Sequence, residues 1–367
     1  MTYYGSMRLH WFLPTGGDSR YVGAVTVTEG RTAAASSRPA TVEYLSQVAR
    51  AAEASGFDAV LVPVGAGCED PWVLCASVAQ HTRTLRFLAA FRPGFASPLL
   101  LAQQAATFQK MTGDRLLLNV VTGGDPAEQR SYGDFLDHDA RYARTDEYLE
   151  VLDKLFDGNP FDYSGEHLRL QGAHLKLPTT RPDVYFGGAS PAAEKVAAQR
   201  ADTYLTWGEP PAMVRERVER MQKKAADEGR ELSFGIRLHV IARRTPEEAW
   251  AEAQRLLDGM ELSAIHAAQE RYRRMDSVGQ ARMTSLHGGS AAYRRSGSAE
   301  SLEISPNLWA GAGLVREGAA TALVGSYEQV VERLVEYRDL GFDQAILSGW
   351  PHLEEAYNVG ENVAPLR

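Results

Sequence analysis

The sequence contains few cysteines and no long apolar run. Two cysteines, Cys68 and Cys75, occur among 367 residues, which excludes a disulfide scaffold and a zinc site built from cysteines alone. No apolar run approaches the roughly 20 residues of a membrane-spanning helix. The first residues, MTYYGSMRLHWFLP, have neither the basic start nor the small-residue cleavage site of a signal peptide. We therefore expect a cytoplasmic protein that does not bind membranes.

Several well-known motifs are also missing. The sequence has no P-loop, no complete G-x-G-x-x-G and no G-x-S-x-G elbow, and its histidines lack H-E-x-x-H spacing. These absences disfavour nucleoside-triphosphate chemistry, Rossmann-type NAD binding and a metal site. The 39 basic and 47 acidic side chains give a net charge of −8, which argues against a general nucleic-acid partner.

Eight short apolar runs alternate with amphipathic stretches. Uniformly apolar strands separated by helices are typical of a parallel sheet that is covered by helices. Eight such units indicate a (β/α)8 TIM barrel, an α/β fold, rather than an open doubly wound sheet. The predicted strands cover residues 8–13, 58–64, 85–91, 115–121, 184–186, 202–206, 234–241 and 344–347.

The chain is longer than the roughly 250 residues of a bare barrel. We expect one domain over residues 7–367, with insertions at about 16–40, 159–180 and 260–321. The second insertion alternates with period two and predicts a hairpin. The third is predicted to be a mobile lid, with residues 271–274 and 288–301 as its mobile parts.

Glycine-rich turns follow four of the predicted strands. In a TIM barrel, chemistry occurs on the loops at the carboxyl ends of the strands. The turn Gly187-Gly188-Ala189-Ser190 opens a helix, so its N–H groups and the Ser190 hydroxyl could hold a phosphate. One such turn alone is more often an ordinary tight turn, but four on one rim favour a large flat ligand or a phosphate.

Arg237 and His239 are the most informative polar pair. Two residues apart on one predicted strand, their side chains point the same way, into the barrel mouth. They form either an anion clamp or part of a core ion pair, in which Glu209 or Asp18 neutralises the charge. A protein of net charge −8 needs a local positive site to bind an anionic substrate.

Cys68 precedes Glu69 and Asp70. These carboxylates are expected to raise the pKa of the Cys68 thiol, which argues against a thiolate nucleophile. We interpret Cys68 as a rim residue.

Taken together, eleven ordered blocks from Trp11 to about Glu361 resemble the alkanesulfonate monooxygenases, within the bacterial-luciferase-like superfamily of reduced-flavin-dependent monooxygenases. The blocks are WFLPTGGDSRYVG, CEDPW, RFLAAFRPG, LLLNVVTGGDPAE, GDFLDHDARY, YFGGAS, TYLTWGEPP, FGIRLHVI, SPNLWAG, GLVREGAATALVG and LSGWPHLEEAY. The resemblance implies a luciferase-like TIM barrel that forms a homo-oligomer, either a dimer or a tetramer. It also implies a two-component system in which a separate NAD(P)H-dependent flavin reductase supplies reduced FMN. With O2 as co-substrate and no metal, the C–S bond of a small anionic sulfonate is cleaved to an aldehyde and sulfite.

The resemblance also implies site residues. Those with a catalytic role would be Arg237, His239, Arg316, Trp207 and His352. Substrate would contact Arg237, Trp207, Trp350, Arg316 and Cys68, with Arg316 on the lid. FMN would be bound by Ala90, Asn119, Thr122, Tyr142, Gly188 and Ser190, its ring lying against Ala89–Ala90, where relatives often have a cis peptide bond.

Two positions depart from the family pattern. Gly16 stands where the family usually has histidine, and Trp350 stands where it usually has tyrosine. Both changes remove a polar group from the pocket, so the same flavin chemistry on another sulfur compound or on a biosynthetic intermediate is the alternative function. A third hypothesis is a deazaflavin-dependent enzyme, or a non-catalytic anion-binding protein, on the same fold.

Overall fold

Eight parallel strands close into a barrel, and neighbouring strands in the barrel follow one another along the chain. The computed structural model describes residues 7–22, 25, 26, 30, 31, 38–288 and 297–366. The strands are β1 Arg8–Phe12, β2 Ala59–Val62, β3 Arg86–Phe91, β4 Leu116–Val120, β5 Val184–Gly187, β6 Thr203–Trp207, β7 Ser233–Arg237 and β8 Gln344–Leu347. Because β8 pairs with both β7 and β1, the sheet has no edge. The predicted (β/α)8 TIM barrel is confirmed.

Helices connect the strands, and many begin at a proline that follows a capping side chain. The Ser190 hydroxyl accepts from Ala193 N, and the Ser97 hydroxyl accepts from Leu100 N. A capping oxygen followed by proline at the first helical position is a strong start signal. The helices are Val42–Ala54, Pro71–Val78, Pro98–Thr112, Pro126–Ser131, His138–Phe156, Pro191–Arg200, Pro211–Asp227, Pro246–Asp258, Leu262–Tyr272, Val278–His287, Tyr327–Asp339 and His352–Asn362. None of these described helices is long and apolar enough to cross a membrane.

The core has an outer layer and an inner layer. Outward-facing strand side chains such as Trp11, Phe87 and Phe186 are fully buried under the helices. Phe12, Leu61 and Ile346 belong to a separate cluster that fills the barrel interior. The interior of the barrel is therefore packed, and the main cavity described below lies at the carboxyl ends of the strands.

The seventh predicted strand, 234–241, is wrong as a single strand. The barrel strand β7 ends at Arg237, and His239–Arg243 forms a separate strand that pairs in parallel with Ala322–Ser326. The backbone N–H of Leu238 still donates to Ile346 O, at 3.0 Å, whereas that of His239 donates to Thr321 O, at 2.9 Å. On one side the pairing partner therefore changes from β6 to Ala322–Ser326 at Leu238, whereas on the other side Val240 N still donates to Ser348 O, at 2.8 Å. The new sheet is completed by Leu308–Trp309 and Glu303–Ser305.

The insertions have their own structure. Phe161–Ser164 and Arg169–Ala173 pair antiparallel, which confirms the predicted hairpin. In the third insertion Arg271 is buried and forms an ion pair with Glu317 at 3.3 Å; the mobility of this insertion stays a prediction. Residues 289–296, within the predicted mobile range 288–301, lie outside the described residues.

Candidate active site

A cavity of about 330 Å³ occupies the barrel mouth. Its walls come from the carboxyl ends of the strands and from the insertion at 275–280 and 316–319. Eight predicted site residues line it: Asn119, Thr122, Tyr142, Gly188, Ser190, Trp207, Arg237 and Arg316. The structure therefore brings most of the predicted site together in one space.

One end of this cavity is a phosphate-sized cradle after β5. Gly188 has φ of +147°, and a Cβ at this position would come within 2.5 Å of the Ala193 Cβ, so the turn requires glycine. Ser190 caps the following helix, its Oγ accepting from Ala193 N at 3.2 Å. The N–H groups and positive dipole end of this helix face the cavity, which favours an anion.

Tyr142 completes the cradle. Its hydroxyl approaches the hydroxyls of Ser190 and Thr122, and burial raises the pKa of Tyr142. The phenol therefore remains protonated near neutral pH and can donate a hydrogen bond. Packing against Phe186 and His138 fixes the ring. Three hydroxyls and a helix N-terminus fit a phosphate group.

The other end of the cavity is cationic. Arg237 is only 6% exposed; its Nη1 donates to Leu238 O at 2.5 Å and to Ile346 O at 3.3 Å, and its Nη2 donates to Ser348 Oγ at 2.8 Å. Burial, together with the charge of Arg316, lowers the pKa of Arg237 well below its ordinary value. Among the described residues, no carboxylate forms a salt bridge with Arg237.

The two carboxylates considered as ion-pair partners of Arg237 are engaged elsewhere, since Glu209 pairs with Arg217 at 2.7 Å and Asp18 with His352 at 2.8 Å. The ion-pair interpretation of Arg237 is therefore wrong.

Arg316 reaches the same end from the lid. Its guanidinium lies 5.6 Å from the centroid of the Phe12 ring, and that of Arg237 lies 4.9 Å from the same centroid. Burial lowers the pKa of Arg316, although the charge of Glu317 opposes this. The Nε of Arg316 has no hydrogen-bond partner in the described part of the chain. A buried cation, Arg237, and a partly buried one, Arg316, at one wall create a site for an anion.

His239 does not line this cavity. It is fully buried; its Nδ1 contacts Ser348 Oγ at 2.6 Å, and its Nε2 contacts Ala319 O at 2.9 Å. Burial, together with the charges of Arg237 and Arg316, lowers the pKa of His239 well below its ordinary value. Arg237 and His239 both contact Ser348 Oγ, as expected for side chains on the same face of a strand, but only Arg237 lines the cavity.

Three other predicted residues line a smaller neighbouring cavity of about 30 Å³: Cys68, Trp350 and His352. Gly16 and Asp18 also line it, and Phe12 and Arg316 separate it from the main cavity because they line both. His352 Nδ1 contacts Asp18 Oδ1 at 2.8 Å, and its Nε2 has no hydrogen-bond partner among the described atoms. A small group bound here would therefore lie next to Arg316.

Burial raises the pKa of the Cys68 thiol to about 11, against the opposing effects of Thr15 and Arg316. The direction agrees with the prediction, but the cause differs. Asp70 instead caps the helix Pro71–Val78 through Trp72 N and Val73 N. Cys68 is therefore a thiol at neutral pH.

Ala90 occupies the barrel wall beneath the mouth. It is fully buried on β3, in register with Asn119, but it does not line the main cavity. The expected cis bond at Ala89–Ala90 is absent: in the described chain, the cis peptide bond is Trp350–Pro351.

The lid insertion closes over the cavity. Gly318 N donates to Gln280 Oε1 at 2.9 Å, and Asp276 N donates to Gly124 O at 3.2 Å. A Cβ at Gly279 would come within 2.8 Å of Trp207 Cζ3, so the lid backbone lies directly against this indole. The insertion thereby shields the site from solvent.

Sequence reasoning missed several lining residues. Phe12 carries no polar signal, although it stacks with both arginines. Arg92 and Glu128 form a buried ion pair of 2.6 Å that lines the cavity, and only the turn after β3 pointed to Arg92. A search of the described residues finds no cluster of three or more His, Cys, Asp or Glu side chains arranged to hold a metal.

Comparisons with known proteins agree with this architecture. Residues 7–344 match the model of the luciferase-like monooxygenase family. Long-chain alkane monooxygenase superposes with a TM-score of 0.78 at 20% identity, over 100% of this chain and 91% of that chain. EDTA monooxygenase from Chelativorans sp. BNC1 gives 0.76 at 19% identity, over 99% and 93%. Riboflavin lyase, solved with modified FMN and riboflavin, gives 0.76 at 18% identity, over 99% and 91%. At these identities the structures establish the fold, whereas the match to the family model shows that this chain is an enzyme of the luciferase-like monooxygenase family.

Proposed function

We propose that this protein is the oxygenating component of a two-component system that cleaves the C–S bond of an alkanesulfonate. The observation that carries the proposal is the cavity with two anion sites. A phosphate cradle at Ser190 forms one end, and the buried Arg237 with the partly buried Arg316 forms the other. A phosphate-bearing cofactor and an anionic substrate fit these two ends.

Reduced FMN is the cofactor that the cradle suits. Gly188, Ser190, Tyr142 and Thr122 would hold its phosphate end, and Asn119 would contact the ring or the ribityl chain. When bound, reduced FMN would supply the electrons that activate O2. The side chains lining the mouth hold and orient the reactants and exclude water.

Arg237 is prepared to bind a sulfonate. Its three hydrogen bonds to Leu238 O, Ile346 O and Ser348 Oγ fix the plane of the guanidinium. The guanidinium has five N–H groups, so others remain for an oxyanion. Trp207 would form the wall beside the substrate, and Arg316 would approach from the lid.

The overall reaction balances without a metal. One oxygen atom of O2 enters the aldehyde and the other becomes water, while the C–S bond breaks and sulfite leaves with its electron pair. The carbon that bore the sulfonate also loses a proton. In the overall reaction this proton passes to water or to the sulfite; His352, which lines the neighbouring cavity behind Phe12 and Arg316, stays a predicted catalytic residue.

The proposed chemistry requires a partner that reduces the flavin. An NAD(P)H-dependent flavin reductase would supply the reduced FMN, which is consistent with the missing nicotinamide-binding fingerprint. We also propose a homo-oligomer, either a dimer or a tetramer.

A different sulfur substrate is the second candidate. Gly16 and Trp350 both line the small cavity beside Arg316. The departures from the family pattern therefore meet at one subsite, where they would change which group fits next to the cation.

The decisive assay is sulfite release from methane- to octanesulfonate and taurine, with FMN, NADH, O2 and a generic flavin reductase. Sulfite release that requires this protein supports desulfonation, and the alkyl chain length that gives the highest rate indicates the size of the pocket. If no sulfonate yields sulfite while FMN still binds, the second candidate replaces the first. If a deazaflavin binds and FMN does not, the two-component proposal is overturned.

A further inference from the structure

We propose that Ser348 and His239 are positioning residues that hold Arg237 in its anion-binding orientation and connect it to the lid. The inference extends the proposed function, because the anion in question is the proposed substrate. Neither residue lines the main cavity, so neither is expected to touch the substrate.

A directed chain of hydrogen bonds links these residues. A guanidinium can only donate, so Arg237 Nη2 donates to Ser348 Oγ at 2.8 Å. A carbonyl can only accept, so His239 Nε2 donates to Ala319 O at 2.9 Å. If His239 is neutral, this leaves its Nδ1 without a proton, and the Ser348 hydroxyl then donates to Nδ1, at 2.6 Å. For a neutral ring, the two ends therefore fix every donor between them, with the His239 proton on Nε2.

The surroundings preserve this neutral state. His239 and Ser348 are fully buried, and Trp350 stacks on the imidazole at 4.3 Å with an interplanar angle of 22°. The titratable groups that act on His239 are Arg237, Arg316 and His352, and all three oppose a positive charge on the ring. A protonated Nδ1 would also remove the acceptor of the Ser348 hydroxyl.

The chain ends on the loop that carries Arg316. Arg316, Gly318 and Ala319 line the main cavity, and Gly318 N is held by Gln280 of the lid helix. When this loop moves, the Ala319 carbonyl leaves His239, and the ring no longer has a fixed orientation. The anion site at Arg237 is therefore complete only when the Arg316 loop is in place.

The first test measures binding of 1-octanesulfonate through quenching of tryptophan fluorescence. Ser348→Ala and His239→Ala are each expected to weaken binding about tenfold, which is the usual effect of losing one charge-assisted hydrogen bond. The double variant is expected to bind no more than about twofold more weakly than either single variant, because each breaks the same chain. His239→Asn, which keeps an acceptor near the Nδ1 position, should recover part of the affinity.

Thr321→Val is the matched control. Thr321 is 1% exposed, and its hydroxyl donates to Gly208 O. The variant removes an equally buried hydroxyl and should lower the melting temperature as Ser348→Ala does, but it should change the affinity by less than about twofold. Additive effects of the two chain variants, or equal losses of affinity in Thr321→Val and Ser348→Ala, would overturn the inference.

A second test does not depend on the substrate. With the nine histidines labelled with ¹⁵N, the imidazole of His239 is assigned from the signal that His239→Asn removes. We expect a protonated Nε2 and a bare Nδ1 from pH 8 to about pH 5. The Nδ1-protonated tautomer, or titration near the ordinary pKa of histidine, would refute the chain even if sulfite release succeeded. The expected tautomer without any sulfonate binding would instead count against the proposed function alone.

Discussion

The guanidinium groups of Arg237 and Arg316 lie over one aromatic ring, 4.9 and 5.6 Å from the centroid of Phe12. Like charges that share a buried site repel each other, and burial alone already disfavours them. The ring face offers both of them a weak cation–π attraction. An anion between them would offset both penalties, so this wall of the cavity is best explained as a ligand site.

The phosphate cradle can be tested by comparing two flavins. Ser190→Ala removes one hydroxyl from the cradle, so it should weaken FMN binding about tenfold. Riboflavin lacks the phosphate, and its affinity should change by less than about twofold. Flavin fluorescence titration measures both.

Ser97→Ala is the control for this change. Ser97 caps the helix Pro98–Thr112 with the same geometry, accepting from Leu100 N. Its removal should cost about 1 kcal/mol of stability without affecting either flavin. Equal losses of FMN and riboflavin affinity in Ser190→Ala would place the phosphate elsewhere.

Cys68 should be an unreactive thiol. Burial raises its pKa to about 11, so the thiolate fraction at pH 8 is about 0.1%. Alkylation by iodoacetamide should therefore be slow at pH 8 and rise until about pH 11. Glu69→Gln should leave this profile unchanged, because burial sets the shift. A plateau near pH 8.5 that disappears in Cys68→Ser would contradict this picture.

Asp18 should make stability pH-dependent. Burial alone would raise the pKa of Asp18, but the charge and hydrogen bonds of His352 and the Tyr44 hydroxyl hold it below its ordinary value. The folded state therefore gains stability above pH 4, and this gain is lost as the pH falls through the lowered pKa. Asp18→Asn should cost about 3 kcal/mol at pH 7 and less at pH 3.

Melting temperatures between pH 3 and pH 7 measure this effect. Asp339→Asn, which alters a carboxylate that is 54% exposed and paired with Arg338, should cost less than about 0.5 kcal/mol at any pH. If Asp18→Asn and the wild type lose stability in parallel as the pH falls, the Asp18–His352 pair is not the source.

The lid should depend on Asp276. Its carboxylate pairs with the buried Arg141 at 2.7 Å, and its N–H donates to Gly124 O. Asp276→Ala should accelerate hydrogen exchange over residues 276–280 about tenfold, because it leaves a buried cation without its partner. Glu270→Ala breaks an exposed pair with Arg273 on the neighbouring helix and should not alter exchange at 276–280. Unchanged exchange in Asp276→Ala would show that other contacts hold the lid.

Much of the fold was predictable because its signals are local. The helices Pro191–Arg200 and Pro211–Asp227 both begin at a proline, which is a start signal that the sequence shows directly. The break between Arg237 and His239 was not predictable. Apart from Arg237 and His239, the run FGIRLHVIA is apolar and continuous, whereas the change of pairing partner depends on Thr321, which is distant in sequence.

The sequence indicated those site residues whose side-chain chemistry is unusual for their position. Arg237 is one of them, because a charged side chain on an otherwise apolar strand must bind a partner or a ligand. Both ring nitrogens of His239 have partners within the protein: Ser348, 109 positions away in the sequence, and the Ala319 carbonyl. A backbone carbonyl leaves no trace in a sequence, so a buried positioning histidine and a catalytic histidine look alike at that level.

The central claim is that the barrel mouth recognises the negative charge of its substrate through Arg237. The most direct measurement compares the affinity of 1-octanesulfonate with that of the neutral 1-octanesulfonamide in the wild type and in Arg237→Ala. We predict that the wild type binds the sulfonate about 100-fold more tightly than the sulfonamide, and that Arg237→Ala reduces this ratio to below about tenfold, while the sulfonamide affinity stays within about threefold. Equal affinities for the two compounds in the wild type, or an unchanged ratio in Arg237→Ala, would contradict the account.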